Sequence, residues 1–107
     1  MKIIAVTSCP IGMAHTYMAA AALKKAGKKM GYDIKVETQG SMGIRDRLSK
    51  EEIASADLLI KATDVAAQEG ERFNKVLSFK ARTSKLIRKS DEVLKQAIEF
   101  YENSQKE

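Results

Sequence analysis

The residues best able to do chemistry are gathered in one short stretch, Cys9-Pro10-Ile11-Gly12-Met13-Ala14-His15-Thr16, which holds the only cysteine and the only histidine of the chain. Pro10 fixes φ and Gly12 is free to take φ > 0, so the stretch reads as a turn whose successive N–H groups point inward as an anion nest. Pro10 has no N–H, which leaves the donors to Ile11, Gly12, Met13, Ala14, His15 and Thr16. The anion that suits such a nest at a helix mouth is phosphate-like. Beside N–H donors and a helix N-terminus a thiol favours its thiolate, with cysteine pKa values falling to roughly 3.5–7.5. Cys9 is therefore a candidate nucleophile, and a phosphoryl group is its natural electrophile. A buried, inert cysteine at a strand end is the plainer reading. It leaves the coincidence of thiol, glycine and helix start unexplained.

The neighbouring elements must hold that turn. Before it, Ile3, Ile4, Ala5 and Val6 form an apolar, mostly β-branched run, which fits a strand buried on both faces of a parallel sheet. After it, from Tyr17, the period changes. Met18, Ala19, Ala22, Leu23 and Ala26 keep to one side, and Lys24, Lys25, Lys28 and Lys29 to the other, as in an amphipathic helix closed by Gly31. Open α/β sheets place ligands at the carboxyl ends of their strands, where Cys9 falls.

Residues 33–38 alternate polar and apolar, predicting a second strand with one covered face. The glycine-punctuated stretch Gln39-Gly40-Ser41-Met42-Gly43 follows as a loop beside the cysteine turn, either a second wall of the site or a plain connection. Ser49 and Glu52 make a capping box that opens a short helix carrying Ile53 and Ala54. Residues 57–62 form a third strand leading to Asp64, on the same sheet edge as Cys9. Asp64 could orient a site group or steer a partner, although an exposed loop aspartate needs no special role. Residues 68–73 predict a turn or short helix with Phe73 packed inward, and residues 75–80 a short fourth strand at an edge. Ser90 is expected to cap a last helix that docks Val93, Leu94, Ala97, Ile98 and Tyr101 on the sheet, with a frayed tail over 103–107. The alternation predicts a three-layer α/β fold with a four-stranded parallel sheet and helices on both faces, one domain over 1–107 with its core in about 1–102.

A phosphorylated cysteine can be hydrolysed, as in a phosphatase, or passed on, as in a relay. Tyrosine phosphatases place an arginine after five intervening residues, and here that position is His15, followed by Thr16. Imidazole cannot reproduce the bidentate clamp of a guanidinium on a phosphoryl group. Transfer from a phosphohistidine asks less, because imidazole is already a good leaving group. The missing arginine favours the relay, with a low-molecular-weight cysteine phosphatase or related thiol enzyme as the alternative. His15 either packs at the helix start or contacts phosphoryl oxygens and tunes Cys9.

The stretch from Cys9 to Ala20 resembles the phosphocysteine signature CPTGIAHTFMAAEAL of fructose-type IIB components of the bacterial phosphoenolpyruvate-dependent sugar phosphotransferase system. The resemblance recurs in Val36-Glu37-Thr38-Gln39-Gly40-Ser41-Met42-Gly43, from Ala56 and Asp57 to Asp64, and at Arg72-Phe73. Ile11, Met13, Ala21 and Asn74 depart from the usual wording, while Cys9, Gly12 and His15 keep it. The resemblance implies sheet order 2-1-3-4 with the first strand central. It also implies that Cys9 takes a phosphoryl group from a IIA phosphohistidine and yields it to sugar bound by a membrane IIC partner, without metal or cofactor. Gln39, Gly40 and Ser41 gain weight as a site wall.

Composition agrees with this class. With 107 residues and one cysteine the chain has no internal disulfide and needs none for an ordinary core. One histidine with one cysteine does not make a structural zinc site. The four-residue apolar run near the start is too short for a secretory signal, and no stretch is long enough for a membrane span, so a cytoplasmic protein without direct membrane insertion is expected. The net charge of +5 includes the acid-free basic run Lys75, Lys80, Arg82, Lys85, Arg88, Lys89. Without interleaved stacking aromatics this reads as a solvated face or a dock for an acidic protein, not a nucleic-acid surface.

Overall fold

A computed structural model of the chain describes residues 1–8, 13–40, 43–63 and 69–105, with the backbone alone for 13–15. Five strands form one sheet in the order β3-β2-β1-β4-β5. They are β1 (Ile3–Ser8), β2 (Lys35–Gly40), β3 (Gly43–Arg45), β4 (Leu58–Thr63) and β5 (Ser78–Ala81). β1 pairs in parallel with β2 and β4, and β4 with β5, reproducing the expected 2-1-3-4 order of four parallel strands. The fifth strand, β3, corrects the expectation of four. It pairs antiparallel to β2, with Gly40 opposite Gly43, in a stretch read from sequence as loop. Gly43 sits at φ +108, a conformation that favours glycine, and three residues are too few to show a strand period.

All six residues of β1 are buried, as its apolar run requires of a central strand. Its side chains alternate between two cores. Ile3 and Ala5 face α1 (Met13–Met30), α3 (Thr83–Arg88) and α4 (Ser90–Ser104), where Leu23, Leu86, Val93, Leu94 and Ala97 complete one cluster. Ile4 and Val6 face α2 (Lys50–Ser55) and a 3-10 turn (Gly70–Phe73), packing with Leu48, Ile53, Leu59 and Phe73. The layers are therefore the predicted three, one outer layer much thinner than the other.

α1 ends as expected at Gly31, at φ +87. The Tyr32 N–H donates to the Gly27 carbonyl at 2.8 Å and the Gly31 N–H to that of Lys28 at 3.3 Å, a Schellman close. Its buried stripe runs through Thr16, Ala19, Ala20, Leu23 and Ala26, so Met18, expected inside, is 53% exposed. The capping box of α2 forms as read: Ser49 Oγ accepts the Glu52 N–H at 3.0 Å, and Glu52 Oε1 accepts the Ser49 N–H at 2.8 Å.

α3 was not legible in the basic run, since six residues with only Thr83 and Leu86 buried carry no clear period. Ser90 begins α4 without capping it, because Lys89 occupies the cap position and makes no side-chain cap bond. The helix runs on to Ser104 where fraying was expected. β5 is shorter than the predicted 75–80 strand and shifted towards Ala81.

Candidate functional site

The parallel register sets Ser8 beside Gln39 of β2 and beside Thr63 of β4, so three strands end level at one edge of the sheet. Cys9, Ser41 and Asp64 follow those ends in the chain within two residues. Cys9, Ile11, Gly12, Ser41 and Asp64, and the side chains of Met13, Ala14 and His15, lie outside the described residues. What the structure gives is the frame around them. Four residues, 9–12, join the end of β1 to the start of α1.

The first turn of an α-helix carries N–H groups without intrahelical partners and the positive end of the dipole. The first turn of α1 contains no acidic residue, so no side chain of its own neutralises that end. Thr16, expected among the phosphate-binding residues, is 1% exposed, and its carbonyl accepts the Thr7 hydroxyl at 3.4 Å. That bond ties the start of α1 to β1.

β2 contributes two rows of side chains at this edge. On one, Gln39 is fully buried and its Nε2 donates to Glu37 Oε2 at 2.8 Å. Gly40, half-buried, ends the strand. The alternation over residues 33–38 predicts one covered face, but Glu37 is also fully buried. The Arg72 guanidinium forks onto it, Nη1 to Oε1 at 3.1 Å and Nη2 to Oε2 at 2.8 Å, and the Leu48 N–H donates to Oε1 at 2.9 Å. Burial alone would push the Glu37 carboxyl up. The bonds from Arg72, Leu48 and Gln39 outweigh it and hold the carboxyl below its ordinary range. Arg72 Nε also donates to the Glu69 carbonyl at 3.0 Å, and Arg47 pairs with the Glu69 carboxylate. Glu69 itself stands at φ 52, the left-handed region.

This network joins β2, the approach to α2 and the 3-10 turn beyond Thr63. It was missed because polarity at one position says surface, while the partner lies 35 residues away. The one signal was that the resembling motifs include both Glu37 and Arg72.

On the other row of β2, Thr38 is 4% exposed, and its Oγ1 has no hydrogen-bond partner among the described residues. An unmatched buried hydroxyl costs about 1–3 kcal/mol.

Two large apolar side chains stand outward at the start of α1, Tyr17 at 37% and Met18 at 53% exposure. The Arg45 guanidinium of β3 lies 5.8 Å from the centre of the Tyr17 ring. Among the described residues, no three His, Cys, Asp or Glu side chains gather as a metal site, and no helix is long and apolar enough to cross a membrane.

The family model described as "PTS system, Lactose/Cellobiose specific IIB subunit" matches residues 4–96. The chain is 45% identical over 93 residues to the PTS system fructose-like EIIB component 2 of Escherichia coli (strain K12), covering 87% of this chain and 88% of that one. It is 44% identical over 96 residues to the 2-O-alpha-mannosyl-D-glycerate-specific EIIABC component of the same strain, 90% of this chain matching 15% of that much longer polypeptide. The solution structure of an enzyme IIB subunit of a PTS system from Escherichia coli K12 superposes with a TM-score of 0.89 at 36% identity, over 98% of this chain and 97% of that one.

Proposed function

This chain belongs to the IIB subunit family of the phosphotransferase system, in its fructose-type branch, and from that premise we propose how it carries phosphate. It is a phosphocarrier of sugar transport. In the proposed cycle the Cys9 thiolate attacks the phosphorus of a IIA phosphohistidine. The S–P bond forms as the N–P bond breaks, and its electron pair returns to the imidazole. A sugar hydroxyl held by a IIC partner then attacks the same phosphorus and releases the thiolate, its proton passing to a base on the acceptor side.

The observation that carries this reading is the meeting of the β1 carboxyl end with an acid-free α1 N-terminus across residues 9–12. N–H groups from Ile11, Gly12, Met13, Ala14, His15 and Thr16 would hold the phosphoryl oxygens, with Gln39, Gly40, Ser41 and Asp64 around them. Donor and acceptor proteins would dock in turn over the same edge. Tyr17 and Met18 offer apolar contact there, and Lys24 and Lys25 lie exposed further along α1. Relatives whose names join the letters A, B and C in one polypeptide support partner domains of those two kinds. A fructose-like sugar and a cytoplasmic location complete the proposal.

Mass spectrometry after incubation with phosphoenolpyruvate, enzyme I, HPr and a fructose-type IIA protein tests it. A phosphoryl adduct on the Cys9 peptide that requires IIA is expected, and Cys9→Ser should abolish relay without unfolding the chain. Relay that persists in Cys9→Ser would remove Cys9 from the mechanism.

A further inference from the structure

The sheet register arranges the α1 side of the strand ends in layers. Side chains alternate along a strand, so Val36, Thr38 and Gly40 share one row of β2, and Val36 is packed in the cluster facing α1. Thr38 is paired with Thr7, and Thr7 with Ala62. One step further along that row stands Gly40, which has no side chain. Thr38 is therefore the last side chain on the α1 side of β2 before the edge.

Its neighbour differs from it in one respect. Thr7 is equally buried, but its hydroxyl has a use, donating to the Thr16 carbonyl in α1. The Thr38 hydroxyl is enclosed at the same level and has no partner among the described residues. A buried hydroxyl is retained at a cost unless something satisfies it in another state of the molecule. The nearby helix N-terminus favours an anion, and an anion accepts what Thr38 can donate.

We propose that Thr38 is a phosphoryl-binding residue, its hydroxyl donating a hydrogen bond to the phosphoryl group carried at the β1–α1 junction. The assignment rests on the phosphocarrier cycle proposed above and extends it to a side chain from β2. The added bond is charge-assisted, formed with an anionic oxygen. It acts only while the phosphoryl group is present.

Thr38→Val and Thr38→Ser test this through the equilibrium between phosphorylated IIA and phosphorylated IIB, read by quantitative mass spectrometry of the Cys9 peptide, alongside thermal melting. Valine keeps the shape and removes the hydroxyl; serine keeps the hydroxyl. Thr38→Val should melt at the same temperature as the parent or higher, yet lower the equilibrium constant for phosphoryl transfer from IIA roughly 10- to 100-fold, the range of a hydrogen bond to a charged group. Thr38→Ser should stay within a few-fold of the parent. A Thr38→Val protein phosphorylated like the parent overturns the inference and leaves the phosphocarrier reading standing. So does a serine variant as impaired as the valine one, or a marked fall in the valine variant's melting temperature, since either assigns Thr38 to packing. A parent chain that takes no phosphoryl group from active, phosphorylated IIA overturns both.

Discussion

The two faces of the sheet solve the same packing problem by different means. On one, α1, α3 and α4 lay an apolar stripe over Ile3, Ala5, Leu58 and Ile60, and the joint is made by area. On the other, the cover is a six-residue helix and a single 3-10 turn, with a core of Ile4, Val6, Leu48, Ile53, Leu59 and Phe73. There the buried fork of Arg72 on Glu37 ties three separate segments together. Area tolerates sliding and local repacking, whereas a bidentate pair fixes direction and distance. The face with fewer apolar contacts is thus the one with the more specific joint, and that joint runs beside the strand ends of the proposed site.

Breaking the joint should have the largest effect on stability. Arg72→Ala leaves Glu37 enclosed with an uncompensated charge, and about 3–5 kcal/mol of unfolding free energy should be lost in urea titration. Replacing both partners, Glu37→Gln with Arg72→Met, should recover much of that, because the charge that had to be matched is gone. A loss below about 1 kcal/mol in the single variant would show that the thin face does not depend on the pair.

The matching substitution on the thick face is Leu23→Ala, at a side chain with no exposed surface. It should cost about 2–5 kcal/mol, towards the lower end if the small side chains Ala19 and Ala26 let α1 settle. No single second substitution should rescue it, since a cavity has no partner to remove. Rescue by a remote change would blur the contrast between the faces.

The two faces also differ in how far their structure is legible in the sequence, for the same physical reason. The thick face is written in periodicity: the runs of β1 and β4 and the spacing of Leu23 and Ala26, or of Val93, Leu94 and Ala97, are local patterns. The capping box of Ser49 and Glu52 was equally legible, because both members lie within one turn. The thin face is written in pairs distant along the chain. Glu37 looks like a surface residue until Arg72 is brought to it; on the α1 side Thr38 looks ordinary until the register shows what surrounds its hydroxyl. Met18 misled because periodicity alone did not locate the edge of the buried stripe of α1. The frame of the site was legible in the thiol, the glycine and the change of period that follows them, whereas its wall from β2 needed the register.

The smallest expected effect concerns acid, and it compares the buried carboxylate of Glu37 with that of Glu52, which pairs with an exposed lysine. Glu52 is held at about 2, below the ordinary 4.5, first by its hydrogen bond from Lys35 and then by the Ser49 N–H. Glu37 is also held low, although burial opposes the shift. A carboxyl lowered by folding contributes stability that is fully present above its unfolded value and is lost as pH falls through its folded value. For Glu52 the loss should therefore run from about pH 4.5 down to about pH 2. Lys35→Met removes the largest cause, so the Glu52 pKa should return towards 4.5 and part of the acid slope in that window should vanish. Neutral-pH stability should fall by the same amount that the acid slope loses, a small one because Lys35 is solvent-exposed and its pair is screened. Melting temperatures of the parent and Lys35→Met at several pH values between 2 and 7 provide the measurement. Parallel curves would mean that the Ser49 cap, and not the lysine, holds Glu52 down. A slope in Lys35→Met that steepened would contradict the sign of the linkage itself.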